Sequence, residues 1–112
     1  MKGISMEFNE LKSGFKAIGF DSLRADSEDY FEVVVAASEL SKFTDRLANV
    51  LGAPVWPSKE KLTAEIRGMI DGFGGITSGQ TLYFRAQDSG AIFAMLWPWQ
   101  DGIHITLKIV KK

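Results

Sequence analysis

Catalysis by proton transfer would centre on His104, the only histidine in the chain, because imidazole gains and loses a proton near neutral pH. A dyad of His104 with Thr106 or Tyr83 can be drawn, since all three are predicted below to share one side of a sheet. However, the sequence contains no HExxH or GxSxG pattern and no cysteine. A lone strand histidine is more often inert than catalytic, so the sequence favours a protein that is not an enzyme.

A cation-binding loop is the second chemistry to test, because the stretch from Asp21 to Glu32 is rich in carboxylates. An EF-hand alignment that starts at Asp21 puts Leu23 and Ala25 at ligand positions, where oxygen donors are required. This stretch is therefore predicted to be a solvated connector, and we expect no metal site.

Phosphate binding is the third, because the segment GFGGITSGQ, residues 72–80, contains four glycines. Phosphate-binding loops lead from a strand into a helix N-terminus, whose free N–H groups face the anion. Here the glycines follow a predicted helix and lead into a predicted strand, and the P-loop lysine is missing. The segment is predicted to end a helix, and we expect no cofactor.

The last strand of the chain carries a clear alternation of apolar and polar residues. Ile103, Ile105, Leu107 and Ile109 alternate with polar residues, which predicts a half-buried strand with these four side chains inward. Asp-Gly just before it is typical of a hairpin turn. A four-residue loop, 100–103, would pair 97 with 106 and 96 with 107 and keep Pro98 out of the hydrogen-bonded ladder.

A second hairpin is predicted around residues 88–90, where Gly90 can take the left-handed position of a three-residue loop. That register would pair Phe84 with Ala94 and Tyr83 with Met95. Together the two hairpins predict a three-stranded meander. Its inward side would also carry Leu82, Phe84, Ile92, Ala94 and Leu96.

The opposite side of this meander forms what we call the predicted aromatic face, which contains Thr81, Tyr83, Arg85, Phe93, Met95, Trp97, Trp99, His104, Thr106 and Lys108. Solvated sheet faces ordinarily alternate to polar residues, and this one does not. Large apolar patches are rarely left wet on monomers, so the predicted aromatic face should be covered in the working state.

The elements that position this face are helices and one further strand. Apolar residues at helical spacing favour an amphipathic helix within residues 1–20, after a Ser5 cap, although Ile4, Met6 and Phe8 alone could instead form a short strand. The run YFEVVVA, residues 30–36, predicts an interior strand. Two more helices are predicted, from Ser38 to a stop at Gly52 and from Ser58 through Phe73, both packed on the inward face.

The whole pattern predicts one α+β domain, residues 1–112, with an antiparallel sheet and helices on one face. A formal net charge of −1 argues against general nucleic-acid binding, and no apolar run has membrane-spanning length. The sequence lacks a secretory signal pattern, so a cytoplasmic location is the default expectation.

Three hypotheses account for the predicted aromatic face. Residues 1–18 could cover it as an internal core, two copies could meet through it as a homodimer, or it could bind a flat or anionic small molecule. We expect a non-enzymatic interaction module that self-associates, with ligand binding as the alternative. The residues expected to carry either role are Tyr83, Arg85, Phe93, Met95, Trp97, Trp99 and His104.

Overall fold

A computed structural model describes residues 4–57, 61–77, 79–87 and 90–112. It confirms an α+β fold, in which three helices pack with a five-stranded antiparallel sheet. The helices are α1 (Ile4–Ile18), α2 (Leu40–Leu51) and α3 (Ala64–Asp71), and a short 3-10 helix (Ala37–Glu39) precedes α2. The strands are β1 (Ser22–Asp26), β2 (Tyr30–Ala36), β3 (Thr81–Gln87), β4 (Gly90–Pro98) and β5 (His104–Lys111).

The sheet has the order β1-β2-β5-β4-β3, so β2 and β5 are interior and β1 and β3 form the edges. The interior position predicted for residues 30–36 is confirmed, with Val33 opposite Leu107. The solvated connector predicted for residues 21–32 is wrong over β1, which pairs antiparallel with β2. Four of the five residues of β1 are exposed, so its sequence lacks the apolar alternation that marks a buried strand.

The helix predicted in residues 1–20 is confirmed as α1, although it begins at Ile4, so Ser5 lies inside it and not at its cap. Phe8, Leu11 and Phe15 are fully buried against the sheet side that also carries the isoleucines of β5. Helix α2 lies on this same side, and the rings of Phe15 and Phe43 stand 5.3 Å apart. We call this side the α1/α2 face.

Helix α2 ends at Gly52, as predicted, with a φ of 84° at that residue. The predicted start at Ser38 is wrong, because Ser38 lies in the 3-10 helix and α2 begins at Leu40 without a side-chain cap. The third helix was predicted to start at Ser58, which lies outside the described residues. It begins at Ala64, and Thr63 caps it by accepting a hydrogen bond from the N–H of Ile66.

Helix α3 packs on the opposite side of the sheet from α1 and α2, so the prediction that both later helices share the inward face is wrong. The buried residues on this side, which we call the α3 face, are Leu82, Phe93, Met95 and Val110 of the strands and Ile70 of α3. Both sides of the sheet are apolar, so hydrophobicity alone could not tell which side α3 would cover.

The β4–β5 hairpin has the predicted register, with Trp97 opposite Thr106 and Leu96 opposite Leu107. The N–H of Trp99 donates to the carbonyl of His104 at 2.9 Å, which closes the four-residue loop at 100–103. Ile103 falls in that loop and is exposed, whereas the sequence predicted it to point inward.

The β3–β4 hairpin is shifted by one residue from its predicted register. Gly90 pairs with Gln87 inside the ladder, so Phe84 lies opposite Phe93 and Tyr83 opposite Ala94. A shift of one residue moves every side chain of a strand to the other face. Leu82 and Phe84 therefore lie on the α3 face instead of pointing inward.

Candidate functional site at the β4–β5 turn

The residues of the predicted aromatic face are divided between the two sides of the sheet. Phe93, Met95 and Trp97 share the α3 face, as predicted, on the side of the sheet opposite the isoleucines of β5. Tyr83 and Arg85 were predicted to join them, and this is wrong. The one-residue shift in the β3–β4 hairpin puts both side chains on the α1/α2 face.

The part of the predicted aromatic face that lies on the α3 face is covered by other segments of the same chain. Phe93 and Met95 are fully buried. The side chains that pack on this face come from the segment before α3, from α3 and from the turn after it, and they are Val55, Trp56, Leu62, Ile66, Met69, Ile70, Phe73 and Ile76. The hypothesis that residues 1–18 cover this face is wrong, because α1 lies on the other side. Phe93, Met95 and Trp97 are therefore covered within the chain, as a large apolar face requires, but by segments other than α1.

Arg85 joins three elements on the α1/α2 face. Its guanidinium lies 2.5 Å from the carboxylate of the buried Glu7 in α1, and it donates to the carbonyl of Val50 in α2 at 3.0 Å. Both contacts use Nη1, so this end of the guanidinium is committed to the fold. Tyr83 is buried beside this cluster, and burial, with a smaller contribution from Asp45, raises the pKa of its hydroxyl.

Trp99 and His104 are the two predicted site residues at the β4–β5 turn, whereas Arg85, although its side chain is 38% exposed, is bound by Glu7 and Val50. The rings of Trp99 and His104 lie 4.9 Å apart, and Trp99 is 37% exposed. The indole Nε1 of Trp99 donates to the hydroxyl of Thr106 at 2.8 Å, which fixes the orientation of the ring. The turn adds Ile103, which is 60% exposed. We call Trp99, Asp101, Ile103 and His104 the Trp99 patch.

Asp101 organises this turn through one carboxylate. Its Oδ1 accepts the N–H groups of Ile103 and His104 at 2.9 and 3.0 Å, and its Oδ2 lies 2.6 Å from Nδ1 of His104. The hydrogen bond with the imidazole, followed by that with Ile103, lowers the pKa of Asp101. The sequence indicated Asp101 only as a turn residue, although an Asp side chain in a turn commonly accepts a hydrogen bond from the N–H two residues on.

The other ring nitrogen of His104 faces a second carboxylate. Its Nε2 lies 3.6 Å from Oδ2 of Asp21, and a cavity of about 430 Å³ beside them is also lined by Ser38 and Ile103. A nucleophilic triad would need a hydroxyl at Nε2. Tyr83 cannot form the dyad considered above because it lies across the sheet.

Metal chemistry finds no support in the described ranges, where no group of three histidine, cysteine, aspartate or glutamate side chains could hold an ion. None of the helices in these ranges is long and apolar enough to cross a membrane. Comparison with known proteins adds no further constraint. No protein family, no curated protein and no solved structure matches this chain.

Proposed function

We propose that the protein is a non-enzymatic interaction module that forms a homodimer through the Trp99 patch. The observation that carries this proposal is the exposure of Trp99 and Ile103, at 37% and 60%, on a turn that hydrogen bonds hold in place. Trp is among the residues that contribute most to binding energy at interface centres. The proposed interface therefore lies at the end of the sheet, at the β4–β5 turn, and no longer includes Phe93, Met95 and Trp97.

The rigidity of the patch supports this role. Association costs about 0.5–1.5 kcal/mol for each flexible side chain that becomes immobilised. The indole of Trp99 is already held by Thr106 and by its contact with His104. The turn itself is held by Asp101. Little ordering would therefore accompany docking of this surface.

Self-complementarity favours a second copy of the chain as the partner. In a two-fold interface the same patch faces itself, so every feature must find its match in the same set of residues. The Trp99 patch combines apolar side chains with an imidazole flanked by the carboxylates of Asp21 and Asp101. Trp99 and Ile103 of two copies can pack together about such an axis, with the polar groups around each imidazole at the rim.

Sedimentation velocity on the wild type and two variants tests the proposal. We expect a dimer at tens of micromolar for the wild type and a monomer for Trp99→Ala/Ile103→Ser. Truncation of a central aromatic residue typically costs about 2–4 kcal/mol, which corresponds to at least a thirtyfold weaker association. Met6→Ser is the matched control, because Met6 is 62% exposed on α1, outside the Trp99 patch, and its loss should leave the dimer intact.

Circular dichroism should confirm that both variants are folded. A wild type that stays monomeric at several hundred micromolar would contradict the proposal. An unchanged dissociation constant in the double variant would contradict it as well.

A further inference from the structure

A groove of about 690 Å³ lies at the opposite end of the sheet from the Trp99 patch. It crosses the ends of β2, β4 and β5, and its walls include Tyr30, Phe73, Gly90, Val110 and two lysines. This volume falls within the range of about 300–1,000 Å³ that is typical of small-molecule sites. Nothing in the hypotheses built on the sequence used this region.

An aromatic pair forms one wall of the groove. The rings of Tyr30 and Phe73 are stacked, with centroids 5.6 Å apart and an angle of 18° between their planes. Phe73 is held from behind by an edge contact with the buried Phe93 at 5.8 Å. The hydroxyl of Tyr30 donates to the carboxylate of Glu32. These contacts hold both rings in place, so a flat ligand would meet a preformed surface.

Tyr30 presents a neutral ring at physiological pH. Burial, followed by the hydrogen bond and charge of Glu32, raises the pKa of its hydroxyl well above the usual range. The phenol therefore adds no negative charge that would repel an anion. Asp29 is a carboxylate on the wall, and one of its oxygens accepts a hydrogen bond from the hydroxyl of Ser27 at 3.1 Å.

Lys111 and Lys112 bring two ammonium groups to the groove. Successive residues of a strand point to opposite faces. Lys111 therefore reaches toward α1, where its Nζ lies 3.2 Å from the hydroxyl of Ser5, and the Nζ of Lys112 lies 5.6 Å from the ring centre of Phe73. Within the described ranges, neither ammonium is within ion-pair distance of a carboxylate.

The backbone fixes both lysines at this place. The N–H of Lys111 donates to the carbonyl of Asp29 at 2.9 Å, and Lys112 exchanges two hydrogen bonds with Ala91 at 2.7 and 2.9 Å. The end of β5 is thus paired on both sides. The backbone positions from which the two positively charged side chains extend are therefore held by the sheet.

We infer that this groove binds a planar anionic small molecule of the aromatic carboxylate class. Its ring packs against the Tyr30–Phe73 pair, and its carboxylate takes the charge of Lys112, whose ammonium lies on the same face as Phe73, while Lys111 borders the groove from the α1 side. Flat rings stack on aromatic side chains, and lysine ammoniums supply the opposite charge. The inference is independent of the proposed dimer, which uses the other end of β5.

A titration with naphthalene-2-carboxylate, followed by the amide resonances of Gly90, Val110 and Lys112, tests the inference. The neutral analogue naphthalene-2-methanol is the ligand control. We expect saturable binding of the carboxylate and at least tenfold weaker binding of the alcohol, because the alcohol carries no charge for the lysine ammoniums to attract.

Two variants separate charge from packing. Lys111→Gln/Lys112→Gln should weaken the binding of the carboxylate at least tenfold and leave the weak binding of the alcohol unchanged. Lys42→Gln is the matched control, since Lys42 is an exposed lysine of α2 whose Nζ pairs with Glu39 at 2.9 Å, away from the groove. It should change neither affinity. The inference is overturned if the carboxylate does not saturate in the millimolar range, if the alcohol binds equally well, or if the double variant binds like the wild type.

Discussion

Lys108 joins the turn after α3 to the sheet, although sequence reasoning assigned it only to the predicted aromatic face. It is 9% exposed, and its ammonium lies 3.6 Å from the ring centre of Trp97 and donates to the carbonyl of Phe73 at 3.1 Å. Burial lowers the pKa of Lys108, and the nearby charge of Glu32 opposes that shift. Here a single charged side chain satisfies a carbonyl just beyond the end of a helix and packs on an aromatic ring.

Gly74 is the residue whose replacement should be least tolerated in the turn after α3. Its φ is 105°, and a Cβ built on it would come within 2.2 Å of the ring of Trp97. Gly19, with a φ of 94° and nothing within 4 Å of its Cβ position, is the matched control. We expect Gly19→Ala to lower the free energy of unfolding by about 1–2 kcal/mol through backbone strain alone. Gly74→Ala should cost about 1–3 kcal/mol more, through overpacking.

Urea unfolding of the two alanine variants measures this difference. If both lose the same free energy, then Trp97 does not pack beneath Gly74, and the cover over the α3 face is looser than described.

At the scale of the elements, the accuracy of sequence reasoning depended on how many signals fixed each turn. In the β4–β5 hairpin the Asp-Gly pair marked the turn and Pro98 favoured the longer, four-residue loop, and the register is correct. In the β3–β4 hairpin the predicted register depended on Gly90 alone, and this glycine could lie either in the turn or in the strand. It lies in the strand, so Tyr83 and Arg85 face α1 and α2 instead of the aromatic side.

The sequence did not reveal strand β1 or the side of the sheet on which α3 packs, because the local pattern carried no signal for either. An edge strand such as SLRAD buries little, so its residues carry no alternation. A register shift between Leu23 and Ala25 also breaks its pairing, which is one way in which proteins blunt exposed edges. The groove at the end of β5 depends on contacts between distant residues, such as Tyr30 and Phe73, which no local pattern contains.

Helix α1 should contribute a large share of stability through one side only. Phe15 is fully buried and contacts Phe43 of α2, whereas Met6 on the same helix is 62% exposed. We expect Phe15→Ala to lower the free energy of unfolding by about 3–5 kcal/mol, and Met6→Ala to change it by less than about 0.5 kcal/mol. Chemical unfolding monitored by tryptophan fluorescence measures both. A small effect of Phe15→Ala would mean that α1 does not pack on the sheet as described.

The whole molecule consists of two unequal layers on a common sheet. The layer of α1 and α2 surrounds the larger cluster of buried side chains, whereas α3 contributes Ile70 as its one fully buried residue in the described part of the chain. The α3 layer also contains the buried indole N–H groups of Trp56 and Trp97, which have no hydrogen-bond partner among the described residues. Each such group costs about 1–3 kcal/mol. The smaller layer is therefore the weaker one.

Native-state hydrogen exchange should show this inequality directly. Proteins open in cooperative units whose free energies range from near zero to that of global unfolding. We expect the amides of Arg67 to Asp71 to exchange at least tenfold faster than those of β5 or of the second half of α1, because α3 can detach while the other layer stays packed. Ile70→Ala should widen the gap, while Phe15→Ala should raise exchange throughout. Equal protection of α3 and β5 would mean that both layers unfold as one unit, and the covered aromatic residues would then become accessible only on global unfolding.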